Sequence, residues 1–179
     1  VLFEDRFDAL RTTWGDATDA VKVESGQLIL APPSGTALWR ASSASLYDDI
    51  DMCVTVTTVR GVDPASAIAG LIFWYSGLND FYALEIAPNG KASVWRRQRG
   101  RWLIQVRWSD AQVNTGDGTT NELRVTTVGS NATFYLNGTR FGTLTGSPPE
   151  KGQQVGLMVT SPEAGTARFA FDDLRVTKP

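Results

Sequence analysis

Apolar and polar residues alternate along most of this chain in short runs, each broken by turn residues, and no stretch shows a sustained helical period. The clearest case runs from Asn79 to Gly138. Tyr82, Leu84 and Ile86 share one parity, Val94 resumes the same apolar face, and Trp102, Ile104, Val106 and Trp108 form a third run. Asn89-Gly90 predicts a tight type I′ turn, and Gly100 closes the next hairpin. Strands are predicted at 2–7, 21–24, 27–31, 37–40, 49–59, 69–75, 81–87, 91–97, 102–108, 122–128, 132–136, 140–144, 154–159 and 166–176. That inventory, with helix nearly absent, predicts an all-β sandwich or barrel.

Parity also assigns faces. Met52, Val54 and Val56 are set inward against Thr55 and Thr57, and Phe134 and Leu136 against Thr133 and Tyr135. Phe169 and Phe171 are odd, whereas Leu174 and Val176 are even, so the apolar face slips across Asp172-Asp173. A β-bulge that ends pairing there is expected.

At 179 residues the chain is long enough for a two-layer core, and a single domain over 1–179 is expected. The absence of His excludes a His-dependent triad and His-based metal sites, leaving carboxylates as the only candidates for catalysis. Cys53 is the only cysteine and is read as structural. A net charge of −2 gives no general pull toward nucleic acid or anionic lipid, and no apolar run is long enough to insert into a membrane. Neither nucleic acid nor membrane is an expected partner. The start at Val1 fits a processed or excised domain, consistent with export.

The outward face of the central meander is the candidate site. If Tyr82, Leu84 and Ile86 point inward, Phe81, Ala83 and Glu85 point outward. Trp95 and Arg97 then lie beside them, and Leu103, Gln105 and Arg107 face outward on the following strand. Glu85, Trp95, Arg97, Gln105 and Arg107 would form one patch, with Trp74 or its neighbour Tyr75 in a second tier. Flat aromatic faces stack on the apolar C–H faces of sugar rings while planar polar groups meet the hydroxyls, so this composition suits a glycan. The same residues also fit a plain cross-strand ion pair and a loop-covering Trp. Arg96, Arg97, Arg99, Arg101 and Arg107 are the densest basic cluster, which suits edge protection or an anionic glycan. Glu4, Asp5, Asp172 and Asp173 are candidates for a structural Ca²⁺ if the chain ends meet; no other cofactor is expected. Asn131 and Asn137 sit in glycosylation acceptor patterns that also suit hairpin turns.

Several motifs, in order, carry a family resemblance: the opening Phe3-Glu4-Asp5-Arg6-Phe7, then Gly70-Leu71-Ile72-Phe73, Asn79 through Ile86, Phe134-Tyr135-Leu136-Asn137-Gly138, and Phe171-Asp172-Asp173-Leu174. With these the chain resembles the concanavalin A-like lectin/glucanase superfamily, nearest to laminin-G-like and 3-keto-disaccharide hydrolase-like bacterial domains. The resemblance implies an all-β antiparallel jelly-roll sandwich in which the last strand lies beside Phe3–Phe7. It also implies an extracytoplasmic role in a secreted, periplasmic or surface protein, with a glycan or polysaccharide as partner. Three functions are compatible with it: a non-catalytic lectin-like module, a carboxylate-based glycoside hydrolase using Glu85, or a laminin-G-like interaction domain. The Glu-x-Asp run of the related glucanases has no match, and Asp49-Ile50-Asp51 comes nearest without either glutamate.

Overall fold

The computed structural model describes residues 1–179 as two antiparallel sheets packed face to face. One sheet runs β12 (Thr139–Thr145), β11 (Asn131–Leu136), β10 (Thr120–Val128), β5 (Ile50–Arg60), β14 (Arg168–Thr177), β3 (Gln27–Leu30) and β2 (Val21–Glu24). Its remaining strand, β1 (Phe3–Asp5), pairs with β14. The other sheet runs β4 (Ala37–Ala41), β13 (Gln154–Thr160), β6 (Ile68–Gly77), β7 (Asp80–Ala87), β8 (Lys91–Gln98) and β9 (Arg101–Asp110). Each predicted strand appears, most of them longer at one or both ends. The only helical element is a single 3-10 turn at Thr12–Trp14.

The core follows the predicted parity in β5 and β11. Met52, Val54 and Val56 are buried in the same core cluster as Leu71 and Phe73 of the opposite sheet, while Thr55 and Thr57 stay half-exposed. Cys53 is half-buried on the outward parity of β5, and burial first of all pushes its thiol pKa up, which makes it a poor nucleophile. Around the Phe7 corner the chain depends on one carboxylate. Asp5 is buried, its Oδ1 accepts the Phe7 N–H at 2.9 Å, and its Oδ2 accepts the Trp14 indole N–H at 2.9 Å. Phe7 is left-handed, φ 51°, so this bond holds a strained residue in place. Asp5→Ala is expected to cost about 2–4 kcal/mol by urea unfolding, because it strips two buried donors of their acceptor.

Asp5 Oδ2 also meets the Arg11 guanidinium at 3.5 Å, and no group of three or more His, Cys, Asp or Glu side chains is placed so that it could hold a metal ion. The expected slip at Asp172-Asp173 is present: the β14–β5 register shifts between Asp172 and Arg175, and Asp173 is left-handed with φ 50°. Pairing does not end there, however. It resumes at Arg175 opposite Cys53, and Phe3, Glu4 and Asp5 pair with Val176, Arg175 and Leu174. One expected turn differs. Asn89 is not left-handed, and Gly90 (φ 90°) closes a Pro88-Asn89-Gly90 loop by donating its N–H to Ala87 at 3.1 Å. Pro88 sets the φ of a type I turn, which a type I′ turn excludes.

Candidate functional site

The face of the β4–β9 sheet turned away from the core carries a second apolar cluster: Ile72, Phe81, Ala83 and Met158, with Trp39, Tyr75 and Trp102 packed against it. The ladder registers place these side chains in rows. Trp39 opposes Met158, then Gly70, Glu85 and Ser93 across successive strands. The next row is Ala41, Gly156, Ile72, Ala83, Trp95 and Ile104, and beyond it Phe81 opposes Arg97 and then Trp102. Small residues at Gly70 and Gly156 leave the middle of the face low. A Cβ at Gly70 would fall 2.7 Å from the Met158 side chain, which therefore lies across that position.

The sheet coils so that its two edge strands meet through side chains. Trp39 of β4 and Trp102 of β9 approach to 6.0 Å between centroids, edge to face at 86°, and both pack on Phe81. The Arg97 guanidinium lies 5.0 Å over Trp39 and 5.1 Å over Trp102, so one cation bridges two indoles. Tyr75 extends the cluster by stacking on Phe81. Two donors here are buried without a partner, Trp39 Nε1 and Arg97 Nε. Trp95 stands half-buried in the adjoining row and donates its indole N–H to Ser93 Oγ at 3.0 Å.

Glu85 lies on this face but is buried, with 4 % exposure and no hydrogen bond or ion pair to the protein. Burial alone pushes its pKa to about 8, and no neighbouring charge contributes. It is therefore a neutral carboxylic acid at pH 7, able to donate one hydrogen bond.

Several of the predicted site residues lie elsewhere. Trp95 and Arg97 share the outward face with Phe81 and Glu85, but Gln105 and Arg107 do not fall in these rows. Two irregularities in the β8–β9 ladder reset the parity of β9, so that Trp102 and Ile104 face outward beside Arg97 and Trp95. Gln105 is the extra residue of one bulge, its amide folded back on the carbonyls of Leu103 and Ile104. Arg107 lies in the other and is exposed. Trp74 is buried in the core against Phe73 and Tyr82, and it is Tyr75 that turns outward. The arginines are also divided: Arg96 stacks on Tyr82, Arg97 bridges the two indoles, and Arg99 and Arg101 flank a cavity of about 560 Å³ at the hairpin tip. Asn137 is committed to the fold, bonding Glu122 N–H, the Gln112 carbonyl and Asn121.

Trp39 is the residue that sequence reasoning missed. Its parity against Leu38 was readable, but its neighbours come from β13, more than a hundred residues on, and from β9 across the sheet.

No protein-family model and no curated protein matches the chain. Solved structures do. The carbohydrate-binding module CBM66 from Bacillus subtilis superposes with a TM-score of 0.66 at 14% identity, covering 84% of this chain and 86% of that one. A Bacillus licheniformis beta-glucanase gives 0.69 at 12%, covering 99% and 98%. A GH43 protein from the same species gives 0.74 at 17%, with 98% of this chain lying on 39% of the longer one. These likenesses show the fold: two antiparallel sheets forming a β-sandwich, as the sequence predicts.

Proposed function

We propose that this chain is a non-catalytic, extracytoplasmic glycan-binding module that uses the coiled face of the β4–β9 sheet. The observation that carries the reading is the Trp39–Arg97–Trp102 stack with Trp95 beside it: planar rings and a planar cation on one sheet face, outside the core. Such groups supply flat apolar area together with in-plane donors, which is the combination a pyranose requires. Structural neighbours that include a carbohydrate-binding module and glycan-cleaving enzymes support a carbohydrate-related role. A similar sandwich forms part of a longer chain in the GH43 protein, which supports a role as one module of a larger protein.

Titration calorimetry of the wild type against soluble oligosaccharides of several linkages is expected to find a ligand. Trp95→Ala and Trp102→Ala are each expected to weaken it about tenfold or more, about 1.4 kcal/mol. Unchanged affinity in variants with a native near-ultraviolet circular dichroism spectrum sinks the proposal.

A hydrolase reading would assign Glu85 as general acid, and its raised pKa suits that role. Against it stands the solitude of this carboxyl. The usual mechanisms need a second carboxyl about 5–9.5 Å away, whereas the residues in its ladder row are Trp39, Met158, Gly70 and Ser93, none of them acidic.

A further inference from the structure

Resting on the glycan reading and deepening it, we propose that the saccharide bound on the sheet face carries an acidic group, a carboxylate or a sulfate ester, held by Arg97, Arg99 and Arg101 at the tip of the β8–β9 hairpin. Arg97 lies over both indoles with its Nε buried, and its guanidinium reaches toward the tip: a Cβ placed on Gly100 would fall 3.8 Å from its Nη2. Arg99 and Arg101 are exposed and, with Gln98 and Leu103, line the cavity of about 560 Å³ beside that turn. The volume falls within the range of ordinary ligand clefts. Leu103, 41 % exposed, offers an apolar wall to the C–H face of a sugar ring.

The turn itself points to a use for the arginine in it. Gln98 pairs with Arg101, so Arg99 and Gly100 form a two-residue loop, and their φ values of 50° and 75° make it type I′. Glycine suits the second position. The first favours Asn, Asp or Gly, because other side chains are strained at positive φ. Arginine there costs local stability, and strain of this kind gathers where a side chain serves a ligand. The loop is also held in place: Asp80 Oδ1 accepts the Arg99 N–H at 3.4 Å, and the Asn79 carbonyl accepts the Gly100 N–H at 3.2 Å.

None of the three guanidiniums has an anionic partner. The ion pairs of the chain use Arg6, Arg11, Lys22, Arg124 and Arg168 instead. Asp80, opposite Gln98 in the ladder, lines a different and smaller cavity together with Arg96. Even with Arg96 and Asp80 both counted, four arginines stand against one carboxylate at this end of the hairpin, in a chain of net charge −2. Farther along the two strands Lys91 and Asp110 lie opposite each other, and Arg107 adds another exposed cation. Glu85 is buried and neutral at pH 7, so it offsets none of them. A guanidinium presents parallel N–H donors that match a carboxylate or a sulfate, and a neutral sugar leaves that match unused. The net negative charge of the chain disfavours a nucleic-acid strand as the anion.

The test is titration calorimetry of the intact chain with trigalacturonate, a κ-carrageenan tetrasaccharide and neutral xylotriose, at about 0.05 and 0.3 M salt. At least one acidic sugar is expected to bind about tenfold or more tighter than xylotriose and to lose affinity at the higher salt. Which of the two does so separates carboxylate from sulfate. Arg99→Asn and Arg101→Gln are each expected to weaken the acidic sugar about threefold, and together about tenfold, with xylotriose unaffected. Arg99→Asn should melt no lower than wild type, since Asn suits the turn, so its weaker binding is not a loss of fold. Equal affinity for acidic and neutral sugars, with Trp102→Ala weakening both, overturns the acidic group and leaves the sheet-face reading standing. Acidic-sugar binding that the arginine variants weaken but Trp95→Ala and Trp102→Ala do not supports the tip and overturns the sheet face. Inorganic sulfate or a thymidine oligonucleotide bound more tightly than both acidic sugars overturns the proposal, as does no binding of any sugar.

Discussion

Deletion of Asp172–Pro179 is expected to abolish the cooperative thermal transition of the domain. The segment is the second half of β14, which lies in the interior of its sheet, with β5 on one side and β3 and β1 on the other. It carries Leu174 and Val176, both fully buried, and each such side chain contributes about 1.5–3 kcal/mol through burial. The deletion also leaves β1 without its only partner and exposes the lower half of β5. Together these losses approach the ~5–15 kcal/mol by which a domain of this size is stable. Circular dichroism melting is the measurement, and a transition at the wild-type temperature would show that the terminal strand is not part of the core.

Replacing Glu85 by Gln is expected to stabilise the protein at and above neutral pH and to remove a pH dependence. The folded-state pKa is about 8 against 4.5 for an ordinary glutamate, so between these values the native state keeps a proton that the unfolded chain has lost. Stability from this group is therefore full below about pH 4.5, declines as pH rises, and levels off above about pH 8. At ~1.4 kcal/mol per unit, the decline across the window is on the order of 5 kcal/mol. Denaturant unfolding of wild type and Glu85→Gln at about pH 5, 7 and 9 isolates it, because every other titrating group is common to both. Parallel stability curves would mean that Glu85 ionises normally and is solvated.

Where the outcome depended on the pattern within one strand, the sequence carried it. The Phe171-to-Leu174 slip located a bulge because the apolar parity changed inside a single run, and the β5 faces followed from Met52, Val54 and Val56 alone. Strand β9 was misread for the opposite reason. Trp102, Ile104, Val106 and Trp108 form an unbroken alternation, yet a bulge is defined by the partner strand, and only the pairing of Val94 with Val106 and Trp95 with Ile104 reveals the extra residue at Gln105. Trp74 and Tyr75 posed a related ambiguity, since the ladder irregularity between Phe73 and Gly77 decides which ring turns inward. The Trp39 contacts arise from strands far apart in sequence and from the coiling of a whole sheet, which no local window encodes.

The meeting of Trp39 and Trp102 has a consequence for polymers. Five strand spacings of about 4.8 Å would put β4 and β9 some 24 Å apart in a flat sheet, yet these two rings lie 6.0 Å apart above Phe81, which is 1 % exposed. Nothing the width of a sugar chain threads beneath that bridge. A long unbranched polymer must lie over the outside of the rings or bring one terminus up against them, so the protein meets either a chain's flank or its end. Competition between an intact polysaccharide and the same mass of it cut to short pieces separates these two modes, because cutting multiplies ends while leaving the total length of flank nearly unchanged.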